Sequence, residues 1–350
     1  MSTTSSTAHT TTSTTPTAMQ AVVQDRYGDA DVLRLAHVAR PAVRDHEVLI
    51  RVAAAGLDRG TWHLMTGRPY LLRLGFGLRG PRNPVLGRDV AGTVVETGSA
   101  VTRFAVGDAV FGIAPGSFAE YAVAREDKLA HKPASVSFEQ AAVLSISGVT
   151  ALQALESGRV RDGQSVLVLG ASGGVGSYVV QLAKAFGAEV TGVASTAKLD
   201  LVRSLGADHV VDYTREDFAS GEHRYDLVID LAGNPTLSRL RRALTSRGTA
   251  VIAGGEEGGS FSGGMNRQLR ALALSPFVGQ RLTMCASRER GSDIARLAEL
   301  VASGSVTPAI DRTFPLGRAP EAMRELEAGR VRGKVAIRVR DLAGTSEVTA

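Results

Sequence analysis

The sequence predicts an α/β protein in which a doubly wound parallel sheet is inserted into a mainly β domain. Three observations support this. A glycine-rich turn, Gly170-Ala171-Ser172-Gly173-Gly174-Val175-Gly176, stands between a short apolar run, Val166–Leu169, and a segment from Tyr178 whose apolar residues recur at helical spacing. Strand-like and helix-like segments alternate from about Gly163 to Met284. The flanking stretches read as short strands separated by turns rich in Gly, Pro and Asp.

Composition sets the frame for these elements. At 350 residues the chain is long enough for two domains, and 44% hydrophobic with 21% charged residues is the ordinary balance of a soluble globular protein. No apolar run is long enough to span a bilayer. The single cysteine, Cys285, excludes an internal disulfide framework and any cysteine-rich zinc site, and it favours a reducing cytoplasm. The formal charge of +5 comes from arginines spread along the chain, with no basic block and only 5% aromatics. This argues against a nucleic-acid partner and suits an enzyme that binds a multiply phosphorylated cofactor.

Taken in order, residues 1–18 are mostly Thr and Ser with Pro16, lack a secretory or transit pattern, and read as a disordered tail. Residues 19–145 supply strand candidates at Ala21–Gln24, Val32–Leu35, Glu47–Ala54, Val90–Glu96, Ala109–Gly112 and Phe118–Ala124. Helices are expected from Phe138 and from Gly148. Residues 146–285 form the inserted domain, with strands at Val166–Leu169, Val190–Val193, His209–Val211, Leu227–Asp230, Thr249–Ile252 and Arg281–Met284. Residues 286–350 return to the first domain through helices at Ile294–Ser303 and Ala319–Ala328 and a last strand at Gly333–Val339.

The turn carries the chemistry. Ala171, Gly173 and Gly176 make an A-x-G-x-x-G pattern between strand and helix, with a second strand at βαβ spacing. Small residues let the backbone turn tightly, and the helix N-terminus offers unpaired N–H groups to a pyrophosphate.

Further segments stand in a recognisable order. These are Pro84–Val94 with Gly87-Arg88-Asp89, Val106–Gly112, Gly116–Tyr121, Ser147–Ala151, the Gly170–Gly176 turn and Gly333-Lys334-Val335. In this combination the chain resembles the medium-chain dehydrogenase/reductase superfamily, in its zinc-free quinone oxidoreductase branch. The resemblance implies a GroES-like β-barrel catalytic domain plus a Rossmann doubly wound parallel sheet, a cleft between them, and hydride transfer from a nicotinamide.

The cofactor expected is NADPH. No carboxylate stands at Ala194, where one would hold a free ribose and repel a 2′-phosphate. Ser195 and Thr196 offer hydrogen bonds and Lys198 a positive charge. Tyr213 matches a family tyrosine at the same phosphate; in the competing reading Lys198 is a solvated helix residue. A charge-assisted contact of roughly 1.5–3 kcal/mol makes Lys198 worth about ten- to a hundredfold in NADPH affinity. Ala171, Ser172, Gly173, Gly174, Val175 and Gly176 are expected at the pyrophosphate. By resemblance, Thr150, Gly254, Gly255, Phe277 and Val278 border the nicotinamide half, Phe277 having a plain core aromatic as its alternative, and Lys334 ends the return to the cleft. Asp230 reads as a structural acid at a strand end.

No metal is expected. Zinc members carry a cysteine where this chain has Asp58, and Gly-His-Glu where it has Gly87-Arg88-Asp89; a guanidinium cannot ligate zinc. Arg88 and Asp89 are expected to pair in place of the metal. Without a Lewis acid, conjugate acceptors suit the site, because hydride addition spreads charge into an enolate or quinol. His63 or Tyr70 is the expected donor to the reduced oxygen, histidine being the side chain suited to proton transfer near neutrality. The alternative has His63 packing beside Trp62, and Asp58 is expected chiefly to anchor the loop. Leu71–Gly80 reads either as a lid over an apolar pocket or as a short surface helix.

The expected activity is a zinc-independent, NADPH-dependent reduction of an apolar quinone or enone. The alternatives are a zinc-free carbonyl or alcohol dehydrogenase, a tailoring reductase of a biosynthetic pathway, and, from another class, a nucleotide-regulated binding protein. By resemblance a homodimer is expected, pairing edge strands near Arg281–Cys285, with neither nucleic acid nor membrane as partner.

Overall fold

In the computed structural model, residues 18–255 and 259–340 are described. The Thr/Ser-rich tail lies outside the described residues up to position 17, while Ala18 already belongs to the first strand. Strands β1 (Ala18–Val23) and β2 (Arg34–Ala39) form an antiparallel pair. A barrel-like sheet follows with β3 (Glu47–Leu57), β4 (Asp89–Thr97), β5 (Ala109–Ile113), β6 (Tyr121–Arg125) and β7 (Leu129–His131). The second sheet holds β8 (Ser165–Leu169), β9 (Glu189–Ala194), β10 (His209–Asp212), β11 (Tyr225–Asp230), β12 (Leu244–Ile252) and β13 (Arg281–Met284). The chain then returns through β14 (Ile310–Pro315) and β15 (Lys334–Arg338) to the first sheet, ordered β14-β15-β3-β4-β5-β7.

The second sheet is parallel throughout in the order β10-β9-β8-β11-β12-β13, the doubly wound Rossmann arrangement. Its topological switch lies between β8 and β11, and in such sheets ligands bind outside the carboxyl ends of the strands at that point. The glycine turn follows β8 there, beside Leu231 at the end of β11. Both central strands are buried runs of Val, Leu and Ile, as a sheet covered on two faces requires.

Two glycines are dictated by space. Gly170 adopts φ +80°, and a Cβ on Gly176 would lie 2.1 Å from the Gly170 carbonyl oxygen. The helix Gly174–Ala185 can therefore approach β8 only with a bare backbone at 176. Helix Ser145–Gly158 packs against it, and Ile294, Leu297 and Val301 of helix Gly291–Ala302 join the same core.

Several local expectations shift. The strand expected at Val32–Leu35 begins at Arg34, because Asp29 caps a short 3-10 turn over Ala30–Val32. β7, only three residues long, carries too little pattern to be read from sequence. Tyr70–Leu72 and Arg73–Phe76 form two short helical turns with Leu74 and Leu78 exposed, the surface-helix reading of that segment.

Candidate active site

The turn presents an open helix end. Gly173 is the N-cap of Gly174–Ala185, its own N–H donating to Gly170 O at 3.1 Å, and no side chain caps the helix. The first N–H groups of a helix lack intrahelical acceptors, so this end suits an anion. The fit to a pyrophosphate rests on this uncapped end and on the bare backbone at Gly173, where a Cβ would meet only Gly170 O, at 3.4 Å. Behind the turn, Gly333 N–H donates to the Ser172 carbonyl at 2.8 Å, tying the start of β15 to it.

A shelf follows β9. Ser195 caps the short turn Thr196–Lys198, and the Thr196 hydroxyl donates to Asp212, which also accepts from the Thr214 hydroxyl at 2.7 Å. These bonds hold the Asp212 carboxyl below the usual carboxylate range. Tyr213 lies beside it, 61% exposed. Lys198 is half-buried, and its ammonium donates to the carbonyls of Gly329 at 2.7 Å and Val331 at 2.8 Å. Burial pushes its pKa down, Asp311 opposes the shift and Arg332 adds to it. Arg332, which the sequence reading missed, is thus a second cation at this shelf; the Gly-Lys motif two residues on was its only signal.

Two cavities open along the carboxyl edge of the sheet. The larger, about 250 Å³, lies between Arg59 and Trp62 of helix Arg59–Thr66 and a wall of Leu231, Asn234, Gly254, Gly255 and Arg267. The smaller, about 120 Å³, is bordered by Arg88, Ile146, Thr150, Ser287, Arg288 and Glu289. The Thr150 hydroxyl donates to Ile146 O at 2.7 Å and lies 3.2 Å from the Ser287 hydroxyl. Gln153 clamps the loop after β13, exchanging hydrogen bonds with the Arg288 backbone at 2.7 and 2.8 Å.

Buried charge lies beneath both walls. Asp230 is fully buried and accepts from Arg267 at 2.5 Å; burial pushes its pKa up to about 6, against the pull of Arg267. Asp89 is also fully buried, takes the Ile146 N–H at 2.7 Å, and sits 3.8 Å from the Lys334 ammonium. Burial pushes Asp89 up to about 8 although Lys334 opposes it.

Residues 44–134 match the family model of the alcohol dehydrogenase GroES-like domain, and 205–337 match that of zinc-binding dehydrogenases. The chain is 35% identical over 337 residues to 2-methylene-furan-3-one reductase of Solanum lycopersicum, covering 92% of this chain and 79% of that one. It is equally 35% identical to the chloroplastic NADPH-dependent alkenal/one oxidoreductase of Arabidopsis thaliana, covering 92% and 80%. The chain belongs to the medium-chain dehydrogenase/reductase superfamily. Within it the chain is quinone oxidoreductase-like: the quinone oxidoreductase structure from Coxiella burnetii superposes with a TM-score of 0.81 at 31% identity, over 92% of this chain and all of that one.

The medium-chain reductase fold sorts the predicted residues. Ala171, Ser172, Gly173, Gly174, Val175, Gly176, Ser195, Thr196, Thr150 and Gly254 all border the carboxyl edge. Phe277 and Val278 do not, which corrects the expectation: they precede β13 and so lie at the amino edge of a parallel sheet, Phe277 being 84% exposed. The residues at the right end are Ser287 and Arg288, and the carboxyl-end rule applied to β13 would have found them. Lys334 is 1% exposed, so it sits behind the turn and not in the cleft. The expected Arg88–Asp89 pair is also corrected: Arg88 pairs with Glu289, while Asp89 faces Lys334 and Ile146.

His63 and Tyr70 border neither cavity. His63 Nδ1 lies 2.6 Å from Arg68 O, and a carbonyl only accepts, so Nδ1 carries the proton and a neutral ring presents Nε2 as an acceptor. Its ring packs edge-on to Trp62 at 5.0 Å. Tyr70 is exposed beneath the Arg73 guanidinium. Asp58 caps helix Arg59–Thr66, accepting from the Thr61 backbone at 2.7 Å, which is the anchoring role. Among the described residues no group of three or more His, Cys, Asp or Glu side chains is placed to hold a metal ion.

Proposed function

We propose that the chain is a zinc-independent reductase that passes a hydride from NADPH to a quinone or an α,β-unsaturated carbonyl. The observation that carries this is the uncapped glycine turn at the switch point, with the Thr150–Ser287 cavity on the same edge of the sheet. The relatives named for NADPH-dependent alkenal/one and methylene-furanone reduction support the cofactor and the acceptor class.

NADPH, when bound, supplies the hydride. The turn holds the pyrophosphate, and the Ser195–Lys198 shelf with Arg332 receives the 2′-phosphate. Thr150 orients the nicotinamide. Ser287, bonded to Thr150, and Arg288, held by Gln153, border this cavity and would stabilise the enolate that conjugate addition creates, with water completing the protonation. They displace His63 and Tyr70 as the favoured donors. The donor set supports zinc independence, because Asp58 caps a helix and Arg88 is an ion-paired cation.

The chain is further proposed to form a homodimer through β13, which among the described residues pairs only with β12 and leaves one ladder edge without a strand partner. A light-scattering mass equal to one chain would refute that.

The test of the activity is NADPH oxidation against a benzoquinone, a naphthoquinone, an acyclic enone, a ketone and an aldehyde, with NADH and a chelator in parallel arms. Turnover of quinone or enone, faster with NADPH and indifferent to chelator, is expected. Turnover of only ketone or aldehyde, or its loss on chelation, would overturn the reading.

A further inference from the structure

Four chain segments remote in sequence meet at one buried pair of charges. Asp89 opens β4 and Lys334 opens β15, both in the catalytic domain. The Lys334 ammonium donates to the Ser147 hydroxyl at 2.9 Å, and Asp89 takes the Ile146 N–H, so both hold the N-terminal turn of helix Ser145–Gly158. The lysine stem runs directly behind the glycine turn: a Cβ on Gly174 would lie 3.2 Å from Lys334 Cδ and 3.4 Å from Ser147 Oγ. One carboxylate oxygen of Asp89, Oδ2, is buried with no hydrogen-bond partner, at 3.8 Å from the ammonium. This pair sits at the seam of the two domains and immediately behind the anion site.

We propose that Asp89 and Lys334 set the affinity of the glycine turn for the anionic dinucleotide from behind it, Asp89 acting as a positioning residue through the charge of Lys334. The inference rests on the reading of the turn as the NADPH site. Its electrostatics are simple. While Asp89 holds its proton, the positive charge of Lys334 stands uncompensated behind the turn and attracts the pyrophosphate. When Asp89 ionises, the pair is neutral and that attraction is lost.

The groups facing Asp89 are Lys334 of β15, Asp58 at the cap of helix Arg59–Thr66, Arg88 beside it in sequence, and the Tyr178 phenol of helix Gly174–Ala185. Asp58 opposes ionisation, Arg88 and Lys334 favour it, and burial outweighs both cations. Burial thus pushes the Asp89 carboxyl up to about 8, well above the usual carboxylate range. Reciprocity requires the bound dinucleotide to raise it further, so that binding takes up a proton.

The experiment is fluorescence titration of NADPH into the full chain between pH 6.5 and 9.5, for the native protein and for Asp89→Asn. NADH provides the control arm, because it lacks the 2′-phosphate and so removes any titration of Lys198 from the comparison. The dissociation constant of the native protein should rise about three- to tenfold across the range with both dinucleotides, as expected for one charge acting at partly screened distance, and Asp89→Asn should stay at the tight-binding limit throughout. Lys334→Met should bind weakly at every pH. Calorimetry of the native protein in two buffers of different ionisation enthalpy should show net proton uptake near pH 8, a readout that needs no variant to fold. A native affinity that is flat with pH, or the same pH dependence in Asp89→Asn, would overturn the proposal. An absence of NADPH binding at any pH would overturn the cofactor assignment itself.

Discussion

Asp230 and Asp89 are the same residue type, both fully buried, one at the end of β11 and the other at the start of β4. Their partners differ. Asp230 receives a guanidinium hydrogen bond at 2.5 Å, and Arg267 is itself held by Pro235 O at 3.1 Å and Gly254 O at 3.2 Å. Asp89 has a cation only at 3.8 Å, whose proton goes to Ser147 instead. Burial raises both, to about 6 and about 8 respectively. A cation that donates directly offsets more of the desolvation than one that is merely near. Of the two buried carboxyls, Asp230 is therefore the more readily ionised.

The largest effect that would break this contrast is at Arg267. Arg267→Ala strands a buried carboxylate and should cost about 3–5 kcal/mol in urea unfolding at pH 7. A loss under 1 kcal/mol would mean the pair contributes little to the fold.

Next comes pH. Both carboxyls have folded pKa values above the usual unfolded one, so the folded state binds the proton more tightly. That stability is fully present below about pH 4 and is lost as pH rises through the folded pKa. Between pH 6 and 8 the Asp89 contribution should fall with a slope approaching about 1.4 kcal/mol per pH unit, and Asp89→Asn should flatten it. Urea midpoints at four pH values decide the matter; parallel profiles for the two proteins would reject the assignment.

Asp58→Ala removes a helix N-cap and should cost about 1 kcal/mol, with Asp58→Asn recovering part of it. A fall in turnover with unchanged stability would instead return Asp58 to the chemistry.

The smallest effect is expected at Lys334. With Asp89 protonated at pH 6.5, Lys334→Met removes a charge that has no full counter-ion, and stability should change by about 1 kcal/mol or less. A loss as large as that at Arg267 would show Asp89 to be ionised and the two sites to be alike.

Legibility in the sequence followed locality. The glycine turn, its strand and its helix are contiguous, so residue size and apolar spacing were enough to read them, and most strands of the parallel sheet came from the same alternation. The errors fell where position depended on the sheet as a whole. Phe277 was placed by resemblance, but it precedes β13, and a parallel strand sends its two ends to opposite edges of the sheet. Arg88 was paired with its neighbour in sequence, although Glu289 reaches it from a distant loop.

The sequence by itself thus determined the two sheets, the anion-binding turn and the poor fit of Asp58 and Arg88 to zinc ligation, because each depends on residue chemistry and short-range spacing. Only the tertiary structure decided that Lys334 lies behind the turn, that Asp89 faces it without a direct hydrogen bond, and that Ser287 and Arg288 border the cavity with Thr150. Those relations join residues more than 130 positions apart, Asp89 and Lys334 being paired at the domain seam, where both hold helix Ser145–Gly158. Burial and register, which set their distances and their protonation, exist only once the two domains have packed.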